Sequence, residues 1–170
     1  MSATTRRILG FAAIFGALYF ALAALWSDTL SHWVIDEGTV RPAAWLARLI
    51  TGDSSIVAAG SQLRAPDGAV NVLYGCEGTD VLMLLLSAIL AAPASWRRRL
   101  AGLLLGTVVV FALNQARVLA LFYALRKQPD WFGPVHGLIG PVVVVVAVSA
   151  FFLAWLQLPE SPAPANGTSA

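Results

Sequence analysis

The chain has 170 residues and a mass of 18.0 kDa, with 58% hydrophobic residues, 12% charged residues and a mean hydropathy of +0.75. Soluble domains carry about 25% charged residues, so this chain cannot coat a water-facing surface, and its hydrophobicity equally excludes a disordered chain. The formal net charge of +2 sits in small basic groups between apolar runs, a pattern of membrane topology rather than a basic face for nucleic acid.

An all-α polytopic membrane protein with about four transmembrane helices is therefore expected, with the lipid bilayer as its surroundings. A span needs about 20 apolar residues. The first runs over 8–26, behind Arg6 and Arg7; its length and the lack of a small-residue cleavage site argue for a retained helix rather than a signal peptide. An outer loop over 27–75 follows, in which Pro42 opens a short interfacial helix with Trp45, Leu46, Leu49 and Ile50 on one face. Ile56–Arg64 and Ala69–Tyr74, joined by Ala65-Pro66-Asp67-Gly68, read as a β-hairpin. The second span, 78–96, is the weakest, because it must bury Asp80. The third covers 100–125, interrupted by Asn114, Gln115 and Arg117, and the fourth covers 134–158 with five consecutive valines, Val142–Val146. Residues 1–158 form a single membrane domain, and 159–170 a loose cytoplasmic tail.

Four spans put the N-terminus, the 95–99 connection and the tail on one side, with Arg6, Arg7, Arg97, Arg98 and Arg99. The positive-inside bias makes that side cytoplasmic and turns the 27–75 loop outward; Arg126 and Lys127 are a modest counter-signal. Trp26, Trp33, Trp131 and Phe132 read as interfacial belt residues.

Polar residues within apolar spans are functional candidates by default. Cys76 lies in Tyr74-Gly75-Cys76-Glu77-Gly78-Thr79-Asp80 at the outer end of span two. Arg117 follows Asn114-Gln115-Ala116, eight residues, or about 12 Å, below the outer end of span three. His136 is in the first turn of span four. Topology alone brings the three to the outer half of the membrane. A thiol gains nucleophilicity beside a helix N-terminus, a cation or a histidine, so Cys76 can pair with His136 as base. Arg117 can hold a carbonyl or its oxyanion, Asn114 shares its helical face, and Glu77 and Asp80 are candidate ion-pair partners for Arg117. Cys76 is the only cysteine, which excludes an intramolecular disulfide, and no Cys/His spacing suits a metal.

The order Cys-x-Gly, then Asn-x-x-Arg in the next span, then His at the start of the following one, resembles the exosortase/archaeosortase family over about Tyr74–Gly140. These are polytopic membrane cysteine transpeptidases. The resemblance implies Cys76 as nucleophile with Arg117 and His136 as catalytic partners, and Asn114 at the motif's first position. It implies exported, membrane-anchored substrates ending in a recognition motif, a transmembrane helix and a basic cluster, passed through a thioester to an envelope acceptor, without metal or organic cofactor. The chain is short for the family and resembles its compact form, exosortase H; Glu77 stands where many members have Ser.

Two other classes remain open at this level. A non-catalytic assembly subunit would use Arg117 in a structural pair with Asp80 or Glu77. A transporter component would use it as an anion site, although no inverted repeat is visible.

Overall fold

The computed structural model describes residues 2–158; the expected tail, 159–170, lies outside the described residues. In hydrocarbon each backbone N–H and C=O must be bonded within its own segment, so apolar runs become helices. Helix α1 (Ala3–Leu25) starts at Ser2, whose hydroxyl accepts the Thr5 N–H, and stops where Trp26 turns extended. It buries none of its residues and packs along one flank against the helix α4 (Thr79–Ala91).

Helix α4 has 13 residues and so spans about 20 Å, short of the ~30 Å hydrocarbon thickness. The expected second span, 78–96, is trimmed at both ends by local chemistry. Gly78 is left-handed just before it, and Pro93 cannot continue it beyond Ala92. Three helical stretches do have the length and composition to cross a membrane: α1, α5 (Trp96–Lys127), and a continuous stretch over Pro129–Gln157. That last stretch comprises α6 (Pro129–Pro134), a π-helical turn π2 (Val135–Ile139) and α7 (Gly140–Gln157). Helix α4 packs against α1, α5 and α7, completing a four-helix bundle. The protein is thus a helical, polytopic membrane protein with a small sheet.

At one end of the bundle the arginines lock helix termini. Arg98 donates to the carbonyls of Trp155 and Leu156 at 2.6 and 2.7 Å, and its guanidinium lies 5.2 Å over the Trp155 ring. Arg99 donates to the Ala92 carbonyl at 2.9 Å. Cations at the last carbonyls satisfy orphan acceptors and oppose the negative end of the helix dipole.

At the other end residues 27–75 fold into a cap with its own core. Ser27 caps α2 (Asp28–Ser31), which continues into a π-helical segment, π1 (His32–Val40), and then α3 (Arg41–Thr51). The expected helix behind Pro42 is α3. Its inward face is Ala43, Ala44 and Ala47, and Trp45, Leu49 and Ile50 are left exposed as one apolar ridge. The sequence predicts no helix over 28–40, yet Ile35, Thr39 and Val40 of π1 are buried there.

The expected hairpin is a three-stranded meander: β1 (Val57–Ala59), β2 (Gln62–Ala65) and β3 (Gly68–Asn71), in the order β1-β2-β3. The Pro66-Asp67 turn is where it was expected, with Ala65 opposite Gly68. The run Ile56–Arg64 is not one strand, because Gly60 adopts φ 58° and reverses the chain, pairing Ala59 with Gln62.

Two buried clusters result. In the cap, Ile35, Val40, Ala43, Ala44, Ala47, Ile56, Leu63, Val70 and Val72 pack onto Val118 and Phe122 of α5. In the bundle, Leu85, Ile89, Val110, Val144, Val148 and Trp155 form the second. Helix α5 serves both, and Cys76 and Phe132 pack at the edge of the first.

Candidate active site

The loop between β3 and α4 is a tight one, with left-handed glycines at Gly75 (φ 85°) and Gly78 (φ 86°) on either side of Cys76-Glu77. The Cys76 N–H donates to the Leu73 carbonyl at 2.9 Å. Asn114, buried on α5, donates its amide to the Glu77 carbonyl at 2.9 Å. A methyl group on Gly78 would sit 3.0 Å from Asn114 Cγ, so the close approach as well as the dihedral selects glycine. The Cys-x-Gly and Asn motif elements are therefore one packing unit that fixes the backbone beside Cys76.

His136 comes from π2. Pro134 and Pro141 bracket this turn and lack the N–H groups that a regular helix would use, and the Gly140 N–H reaches five residues back to the Val135 carbonyl. The imidazole stacks on Phe132, with ring centroids 5.8 Å apart and planes 17° apart. Its Nε2 lies 3.7 Å from Cys76 Sγ, across 60 residues of sequence. Both line a cavity of about 280 Å³ walled by residues 69–73 and by Val118, Leu121 and Phe132. An imidazole at this distance can take a thiol proton and later return it to a leaving group.

Arg117 is placed differently. It lies one helical turn beyond Asn114, and its Cγ and Nε would be 3.4 Å from a methyl group on Gly140, so the side chain runs along the π2–α7 junction. It is not among the residues that line the cavity. Its Nε is buried with no hydrogen-bond partner among the described residues. The expected ion pairs with Glu77 or Asp80 are not found: among the described residues no pair within 4.0 Å involves Arg117. The reason is directional. Arg117 packs beside Gly140, while one Glu77 carboxylate oxygen accepts the Thr79 hydroxyl at 2.6 Å. The other Glu77 oxygen, Asp80 Oδ1 and the Gln115 amide are buried without partners among the described residues.

Two further residues contribute that no motif in the sequence marks. Phe132, assigned to an interfacial belt, is the stacking partner of His136; its i−4 spacing is the signal that was there to use. Arg126, read only as a topology charge, ties the cap to α5. Its Nε lies 2.6 Å from Asp67, a second nitrogen lies 3.8 Å from Asp53, and its guanidinium stacks over Phe122. The Arg126 hydrogen bond holds the Asp67 carboxyl below its ordinary range. Asp53 is lowered first by its hydrogen bonds from Ser55, with Arg126 adding a smaller pull.

The chain was compared with known proteins. A family model described as transmembrane exosortase matches residues 2–154, which includes the cap, all of the bundle but the last turn of α7, and every candidate site residue. Curated proteins and solved structures gave no significant match. A match over nearly the whole chain joins the order of Cys76, Asn114, Arg117 and His136 to a helical membrane fold, and the chain belongs to the transmembrane exosortase family.

Proposed function

We propose that the protein is a membrane-embedded cysteine endopeptidase that cleaves exported proteins at a C-terminal sorting signal and transfers them to an envelope acceptor. The observation that carries this reading is the 3.7 Å approach of Cys76 Sγ to His136 Nε2 at one end of a four-helix bundle, on the wall of a cavity of about 280 Å³. His136 accepts the thiol proton, and the Cys76 sulfur attacks the scissile carbonyl carbon. The tetrahedral oxyanion collapses, the C–N bond breaks, and the leaving amine takes the proton from His136. The product is a thioester on Cys76, which an acceptor amine resolves by transfer or water resolves by hydrolysis. Asn114 holds the loop that carries the thiol; Arg117, the cation of the Asn-x-x-Arg motif, lies outside the cavity lining beside Gly140, where it supports the π2–α7 junction that carries His136. The assembly-subunit alternative drew on an Arg117–carboxylate pair, and the Arg117 environment gives it no support.

In this reading the termini and the Arg97–Arg99 connection face the cytoplasm, and the cap faces outward. A substrate anchored by its own transmembrane helix then presents its motif at the level of Cys76. The test is an exported reporter fused to a C-terminal segment with a recognition motif, a transmembrane helix and a basic cluster, drawn from the same genome. Processing is expected to disappear in Cys76→Ala, and hydroxylamine is expected to release a reporter hydroxamate from the wild-type enzyme. Processing that continues in Cys76→Ala contradicts the proposal.

A further inference from the structure

The edge of the cap sheet that faces the cavity has a particular hydrogen-bonding state. Strand β3 is an edge strand, paired only with β2. The Val72 N–H donates to the Ser61 carbonyl at 2.8 Å, which makes Ser61–Val72 a bonded pair. Bonded and non-bonded pairs alternate along an antiparallel ladder. With Leu63 opposite Val70 and Ala65 opposite Gly68, the residues of β3 that bond to β2 are Gly68, Val70 and Val72. Ala69 and Asn71 direct their N–H and C=O groups off the other edge. Outside the β2–β3 ladder, no backbone group of either has a partner among the described residues.

Those same residues, continuing through Val72 and Leu73, wall the cavity that holds Cys76 and His136. Val118 and Leu121 of α5 also line it, so an extended chain lying along β3 would have its backbone bonded on one side and apolar side chains to pack against. Unpaired strand edges recruit a further strand unless something blunts them. Here no charged residue, proline or bulge occupies β3, which reads Gly68-Ala69-Val70-Asn71.

We infer that the free edge of β3 is the substrate-binding subsite, and that the recognition segment of the substrate adds to the cap as a fourth, extended strand whose backbone bonds to Ala69 and Asn71 and whose scissile carbonyl is thereby delivered to Cys76. The inference rests on the proposed cysteine-enzyme reading and supplies its mode of recognition. Main-chain bonds give affinity in such strand addition, and alternate side chains entering pockets give sequence preference. The side chains that choose the motif are then those pointing toward Val118, Leu121 and Phe132.

The test uses the full chain in membranes with two probes of Cys76. A small one, chloroacetamide, reads thiol reactivity; a pool of randomised tetrapeptidyl chloromethyl ketones reads strand docking, each scored by intact mass. Ala69→Pro removes an edge N–H while leaving the β2–β3 ladder whole, and Ala69→Val keeps that N–H. The peptide pool is expected to label wild type and Ala69→Val at least about tenfold faster than Ala69→Pro, with chloroacetamide unchanged in all three. Because Ala69→Pro can disturb folding, the same pool with alternate backbone amides N-methylated is also applied to the wild type. It is expected to lose the same advantage. Peptide labelling that ignores both Ala69→Pro and N-methylation overturns the strand-addition inference and leaves the thiol reading intact. Chloroacetamide labelling that is slow and indifferent to His136→Ala overturns the thiol reading instead. If Ala69→Pro merely converts a detergent-solubilised dimer to monomer, with peptide labelling unchanged, the edge belongs to a second copy of the chain and the inference falls.

Discussion

Asn114 does two things at once: it satisfies the Glu77 carbonyl and it fills the space beside Gly78. Truncating it to alanine leaves a buried carbonyl unsatisfied, which costs about 1–3 kcal/mol, and frees the loop that aims Cys76. Gly78→Ala adds a left-handed strain of about 1–2 kcal/mol to a 3.0 Å contact. Gly16→Ala, on the open face of α1 with nothing within 4 Å, is the matched control. Thermal unfolding in detergent should rank wild type and Gly16→Ala together, with Asn114→Ala and Gly78→Ala clearly lower. If Gly78→Ala unfolds with Gly16→Ala, Gly78 and Asn114 do not form one packing unit. At this scale Cys76, Asn114 and His136 were readable from the chain, because a polar group in an apolar run stands out. Phe132 was not. An aromatic near a helix end has an ordinary interfacial explanation; its i−4 spacing to His136 permits a contact without specifying one, and the fold shows the two rings stacked.

The cap is attached to α5 by apolar burial and by one multivalent arginine. Arg126 pairs with Asp67 of the Pro66-Asp67 turn and reaches Asp53 in the α3–β1 loop. Because folding lowers the Asp67 pKa from its ordinary 3.8, the bond contributes stability that is fully present above that value and is lost as pH falls through the folded pKa. Hydrogen exchange of the β2–β3 amides should therefore quicken as pH is lowered through the range below about 4, once the intrinsic exchange rate is divided out. Asp67→Asn should remove most of that dependence. A wild-type profile identical to that of Asp67→Asn would show that the pair contributes nothing to docking. The elements around this contact were partly legible. The Pro-Asp-Gly turn and the Pro42 helix have local signatures that survive in the fold. The π1 segment has none, since its buried Ile35 and Val40 acquire meaning only with Ala43, Ala44 and Ala47 of the next helix beside them. Helix α4 fell short of its expected length because a hydrophobicity window sees apolar residues, whereas Gly78 and Pro93 decide where backbone bonding stops.

For the molecule as a whole, the decisive feature is that α5 runs through both hydrophobic clusters and carries Asn114 and Arg117 close to where they meet. Residues 76 and 136, remote in sequence, are brought together because one lies at the start of α4 and the other in π2, at the same end of the bundle. That convergence followed from alternating spans, and so was predictable in outline. The direction of Arg117 was not, since charge complementarity pointed it at Glu77 and Asp80 while packing sends it past Gly140. In the proposed function, Cys76 and His136 act as one unit. The rate of Cys76 alkylation by iodoacetamide at neutral pH, in membranes, compares wild type with His136→Ala and Arg117→Ala. A fall of about tenfold is expected in His136→Ala with the helical content unchanged. Equal rates in wild type and His136→Ala would make Cys76 an ordinary structural thiol, uncoupled from His136.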